Sequence, residues 1–147
     1  MSATLLNNAD RAAIIARLRR VTPDRVPLWG SFTAPRMLCH VTDQLRVATG
    51  IIIGRHRDTL FRRTVLKWVV VHSSMQAPPG KAQTVPEMLS TAPTTWDADM
   101  ATCIRLINEV GQGKANGRHP AFGHLSAREW GRIGWKHFDH HLRQFGE

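Results

Sequence analysis

SAREWGRIGWKHFDHHLRQF, residues 126–145, reads as one long helix. Ser126 with Glu129 three residues later is a capping box, in which hydroxyl and carboxylate each satisfy an amide of the first turn. No proline follows, so the helix is expected to run to Phe145. With His137 set at zero and ~100° per residue, one arc collects the large apolar side chains. Trp130 falls at about +20°, Ile133 at about −40°, Gly134 at about +60°, Phe145 at about +80° and Phe138 at about +100°. His141 lands at about +40°, inside that arc. His140 lands at about −60°, on the polar margin with Glu129 and Lys136. His137 and His141 therefore point inward together, one turn apart. Two imidazoles at i and i+4 converge, the spacing a helix offers a metal ion. The plain alternative is a pair of hydrogen-bonded core histidines, because HxxxH arises by chance in a chain with eight histidines.

Upstream, the pattern is helical again and again. A first helix is expected over Asn8–Val21, capped by Asn8, with Ile14, Ile15 and Leu18 as its stripe. Pro23, Pro27 and Gly30 then break the pattern. A second helix starts near Pro35 and carries Met37, Val41, Leu45, Ala48 and Ile52 at steps of three and four, with Gly50 and Gly54 weakening its end. It offers His40 on the shoulder of that stripe as a third ligand. A short basic helix is expected over Asp58–His72, with Leu60, Phe61, Val65, Leu66 and Trp68 set against Arg62, Arg63 and Lys67. The stretch from Ser73 to Thr95 holds four prolines and reads as a long loop, too apolar at Val85, Met88 and Leu89 for a plain linker. A fourth helix covers Asp97–Gly111, and GQGKANGRHPAFGHL, residues 111–125, reads as loop. His56, His72, His119 and His124 lie in loops or at helix ends and read as surface residues. With hardly any strand pattern, the expectation is an all-α bundle of four main helices, an extra short basic helix and a long proline-rich loop.

The 147 residues suit one domain, spanning 1–147. A hydrophobic share of 42% against 21% charged residues excludes a disordered composition. No apolar run reaches the ~18 residues of a membrane span, and the first residues lack an apolar leader core, so a cytoplasmic protein is expected. Cys39 and Cys103 lack CxxC spacing and fall in apolar helical patterns, as buried reduced thiols do. Twenty Lys and Arg against eleven Asp and Glu give a net charge of +9, a field that attracts anions. No nucleic-acid motif accompanies the charge, so nucleic acid is not the expected partner.

WGSFTAPRMLCHVTDQL (29–45) and HPAFGHLSAREWGRIGWKHFDHHLRQFG (119–146) resemble the DinB-like domains of the DinB/YfiT-like metalloenzyme superfamily. The resemblance extends over Ile15 to Gly146 and is strongest in the last thirty residues. HHLRQ (140–144) fits the family's histidine doublet followed by glutamine. The resemblance implies an up-down four-helix bundle, often a homodimer. It implies a metal site of one histidine from the second helix and an HxxxH pair from the last, here His40, His137 and His141. Some members are transferases or isomerases that use low-molecular-weight thiols.

The expected function is thus a divalent-metal protein, a hydrolase or a thiol-dependent transferase of small molecules. Three imidazoles leave a coordination position open, suited to activating a water or a thiol. Zn, Ni and Fe(II) all suit imidazole. Asp43, Glu129 and Asp139 are the candidate general bases, although Asp139 faces away from the histidines on the wheel. A second expectation, from another class, is a basic module with a structural or vestigial metal site, whose segment RHRDTLFRRTVLKW (55–68) docks on an anionic surface, nucleic acid or acidic membrane. Trp68, Trp96, Trp130 and Trp135 exceed what a bundle of this size must bury, and some are expected at a dimer interface.

Overall fold

The structure is a computed structural model that describes residues 2–57, 59–73 and 85–147. It is mainly α-helical, with a single small sheet among the described residues. Helix α1 spans Asn8–Leu18 and is capped by Asn7, whose side chain accepts from the amides of Ala9 and Asp10. The sequence pattern predicts the cap one residue later, at Asn8. That amide oxygen is instead taken by the Arg11 guanidinium at 2.7 Å. The helix also ends three residues before Val21, because the chain must leave helical geometry ahead of Pro23.

Helix α2, Ala34–Ala48, begins under a hydroxyl cap from Thr33 with Pro35 in its first turn. Its end is set by Gly50, whose φ of +78° is the left-handed conformation that closes a helix cheaply only at glycine. Ile52, expected on the stripe, therefore lies beyond the helix. Within α2 the burial is far wider than a stripe. Every residue from Met37 to Leu45 is buried, including His40, Thr42, Asp43 and Gln44. The cause is position: α2 packs against α4 (Trp96–Gly111), against α5 (Ala127–Gln144) and against a 3-10 turn at Pro86–Leu89. Helix α1 packs on α4 and α5, and α4 touches α5.

The expected basic helix over Asp58–His72 is shorter and less regular. Asp58 lies outside the described residues, as does 74–84 of the expected loop. A π-helical turn over Arg62–Leu66 runs into α3, Lys67–His72. Its predicted apolar face is not covered: Leu60 is 79%, Phe61 61%, Val65 52% and Trp68 63% exposed. Of the other tryptophans proposed for an interface, Trp130 is buried and Trp96 and Trp135 pack partly buried on the core.

A second correction concerns residues 111–125. Arg118–His119 (β1) and Gly123–His124 (β2) form an antiparallel hairpin, pairing Arg118 with His124 and His119 with Gly123. Two-residue strands are too short to show alternation, so the sequence reads as loop. The hairpin is held against the end of α2 by the Gly117 amide, which donates to the Ala48 carbonyl at 2.8 Å. A Cβ at Gly117 would collide with the Val47 carbonyl oxygen. The Trp130 indole closes the corner by donating to the Gly117 carbonyl at 3.1 Å. No described helix is long and apolar enough to cross a membrane.

Candidate metal centre

The α5 capping box is present in full, and it fixes the phase of the helix that carries two of the three histidines. His137 and His141 face α2 one turn apart, and His40 meets them from α2. The ligand atoms of the three lie within 4.8 Å of one another, in the one cluster of this kind among the described residues. Ring centroids are 4.6 Å apart for His40 and His137, 4.7 Å for His40 and His141, and 4.8 Å for His137 and His141. Each pair of planes crosses at 82°, so the rings stand as a near-threefold propeller around one point.

Each ring's other nitrogen is held by an oxygen. His40 Nδ1 lies 2.8 Å from the Met88 carbonyl, supplied by the 3-10 turn. His137 Nδ1 lies 2.8 Å from Gln44 Oε1, and His141 Nδ1 lies 2.8 Å from Gln144 Oε1. An oxygen of this type only accepts, so each Nδ1 carries the hydrogen and each Nε2 a bare lone pair. For Gln144 the amide orientation is fixed from its far end, where Nε2 donates to the Trp29 carbonyl at 2.8 Å. The Trp29–Ser31 turn comes that close because Gly30, at φ +78°, has no side chain: a Cβ there would lie 2.6 Å from Gln144 Nε2. Oxygens that accept from the far nitrogen of a ring in this way orient imidazole toward a metal.

The consequence is an unmet electrostatic demand. His137 Nε2 and His40 Nε2 stand 2.8 Å apart with lone pairs facing. A proton or a cation between them would relieve the repulsion. Burial opposes the proton. Desolvation holds His40 below the ordinary histidine value, the Met88 carbonyl only partly offsetting it. Desolvation, with the neighbouring His40 and His141, holds His137 well below that value. Desolvation and the nearby His40 bring His141 down to about 3. Neutral imidazoles are the form that binds metal. Metal–nitrogen bonds of ~2.0–2.1 Å in tetrahedral geometry place neighbouring nitrogens roughly 3.3–3.4 Å apart. That spacing falls between the 2.8 Å of the tightest pair and the 4.8 Å that bounds the set. The three histidines fit a divalent ion.

Residues 4–147 match the family described as "Protein of unknown function (DUF1569)". The chain belongs to that family. No curated protein and no solved structure matches it. The DUF1569 match takes in all three histidines and every described helix, while its description assigns no activity.

Other sequence candidates are placed differently. His140 is outside the cluster, as the wheel placed it, yet it is not on a solvated margin: its ring packs 5.0 Å from His141 and 6.2 Å from Trp29. His119, read as a surface residue, is only 6% exposed. It stacks on Phe122 at 4.5 Å, accepts at Nδ1 from the Ala121 and Phe122 amides, and is pushed by burial down to about 4. The three candidate bases are engaged elsewhere. Asp43 accepts from Arg46 and from the Thr91 amide and hydroxyl. Glu129 serves the capping box and pairs with Lys67 at 2.9 Å. Asp139 is buried between Arg17 at 2.8 Å and Arg143 at 3.1 Å. None belongs to the histidine cluster.

Cys39 and Cys103 are buried free thiols, as expected, and neither joins the cluster. Desolvation raises both, with Asp99 and Asp43 adding to it at Cys39, and takes Cys103 up to about 12. Sequence reasoning missed the supporting residues Gln44 and Gln144 as hydrogen-bond partners. Their spacing was a signal, four residues after His40 and three after His141, on the faces that carry those ligands.

Proposed function

We propose that this DUF1569 chain is a divalent-metal protein of the DinB/YfiT-like kind, with His40, His137 and His141 as the ligands. Its activity is that of a metal-dependent hydrolase or a low-molecular-weight-thiol-dependent transferase acting on small molecules. The observation that carries the reading is the shared geometry: three Nδ1 atoms each 2.8 Å from an oxygen, and one ligand atom from each ring within 4.8 Å of the other two. A divalent ion held by His40, His137 and His141 would supply Lewis-acid polarisation. The chain's own residues do the rest. Three neutral imidazoles would fill three positions, and among the described residues no thiolate or carboxylate joins them, which is the donor set of an open site. Phe32 lies 5.1 Å from His40 and 5.8 Å from His141 and walls the cluster with an apolar face. The two cysteines are protonated and enclosed, so a reacting thiol comes from solution. Free thiols throughout also favour a cytoplasmic home. Imidazole donors suit Zn, Ni and Fe(II) alike. The contacts among α1, α2, α4 and α5 suit a four-helix bundle of the DinB type.

The test is absorption spectroscopy of the cobalt-substituted protein with added thiols and small anions. An open site gives visible bands that shift on each addition. A sulfur-to-cobalt charge-transfer band without added thiol, lost in Cys39→Ser or Cys103→Ser, would mean a closed structural site and end the enzyme reading.

A further inference from the structure

The helix over 60–72 is mounted the wrong way round for a bundle. Its polar and backbone groups are turned in and clamped on α5: Lys67 to Glu129 at 2.9 Å, His72 Nδ1 to Arg132 at 2.8 Å, and the Val70 carbonyl to Lys136 Nζ at 2.7 Å. Val71 is the residue of α3 that enters the core. The large apolar side chains point outward. Leu60, Phe61, Val65 and Trp68, at helical spacing, are each more than half exposed and form a ridge. Arg62 and Arg63 are exposed beside it, and the segment from Thr59 to Ser73 contains no acidic residue. A contiguous exposed apolar patch rimmed by polar groups marks an interaction surface.

We propose that this ridge docks the protein on an anionic lipid bilayer. The complement of an apolar ridge flanked by arginines is a surface that is apolar at depth and anionic at its face. A phospholipid leaflet is built in that order, with acyl chains beneath phosphates. Phe and Trp at the crest are the side chains that settle at the bilayer interface. A second copy fits less well. A twofold contact would bring two sets of the same arginines into one interface in a chain of net charge +9. Nucleic acid fits less well again, because phosphate contacts leave the four apolar side chains in water. The ridge is clamped to α5 on the side away from its crest, so docking leaves the metal-binding face of α5 intact.

The experiment is co-sedimentation of the full chain with vesicles of phosphatidylcholine, alone or with roughly a third phosphatidylglycerol. Binding to the anionic vesicles should be stronger by about tenfold or more and should weaken with salt. Phe61→Ser with Trp68→Ser should abolish sedimentation, and Arg62→Gln with Arg63→Gln should reduce it to the level of neutral vesicles. Helical circular dichroism and zinc uptake should be unchanged in both double variants. Equal sedimentation with both vesicle types, none with either, or full binding by the Phe61/Trp68 variant would overturn the proposal. A dimer in light scattering that those two substitutions dissociate would assign the ridge to a second copy. Salt-sensitive retention on nucleic acid with none on vesicles would overturn it too.

Discussion

Helix α5 buries its apolar arc, and the helix over 60–72 shows its own to solvent. Both carry an apolar stripe beside a run of cations. What differs is what the surrounding chain supplies. Helix α5 has α1, α2 and α4 against it and a capping box that fixes where it begins. The 60–72 helix starts under a long 3.3 Å bond from the Arg62 amide to the Thr59 hydroxyl, contains a π-helical turn, and touches α5 through charged groups and carbonyls. Periodicity therefore says that a face is apolar, and only the tertiary neighbourhood says whether the chain itself covers it. The candidate metal centre stands on the covered side of that contrast. Desolvation keeps the imidazoles there neutral.

The sharpest way to break the comparison is to truncate one tryptophan from each helix. Trp130→Ala should cost about 3–5 kcal/mol in urea unfolding, since it empties a core position and strands the Gly117 carbonyl. Trp68→Ala should change stability by no more than ~0.5 kcal/mol. Comparable losses would mean that the ridge is covered within the chain.

Burial beneath α5 should also show in the pH dependence of the wild type. His119 rises to the ordinary 6.5 on unfolding and sits at about 4 in the fold. The neutral form is the one the fold holds, so the contribution is complete above pH 6.5 and is lost as pH falls toward 4. The loss should approach about 3 kcal/mol at the acid end of that window. In His119→Gln, which cannot titrate, the slope of stability against pH between those values should be correspondingly flatter. An unchanged slope would remove His119 from the account.

Weaker, but aimed at the site, is Gln144→Leu. Without its acceptor, His141 loses the bond that holds hydrogen on Nδ1, and zinc affinity should fall about 10–100-fold with the helical spectrum unchanged. Gly30→Ala should move affinity the same way, since the added methyl drives Gln144 off the Trp29 carbonyl. Nitrogen NMR of His141 reports the tautomer independently of any metal. The smallest effect is expected at the start of α5, where Ser126→Ala should cost about 1 kcal/mol.

The sequence was most readable where local and tertiary signals agree. Ser126, Glu129 and the arc from Trp130 to Phe138 set the phase of α5, and that phase selected His137 and His141 over His140. Asn7 and Asn8 are adjacent and chemically identical, so only the competing Arg11 bond decides between them. His119 was misplaced because a two-residue strand leaves no pattern and its burial comes from Phe122 and Trp130. Helix α2 looked amphipathic because Asp43 and Gln44 are polar. They are buried because the loop at Thr91 and helix α5 bring them partners.

The central claim is that His40, His137 and His141 form one metal centre, and calorimetric titration of zinc into metal-stripped, untagged protein tests it most directly. The wild type and His140→Ala should each take up about one ion per chain, while His40→Ala, His137→Ala and His141→Ala should show no stoichiometric binding. Wild-type protein that takes up no zinc, or any of those three variants retaining wild-type uptake, would contradict it.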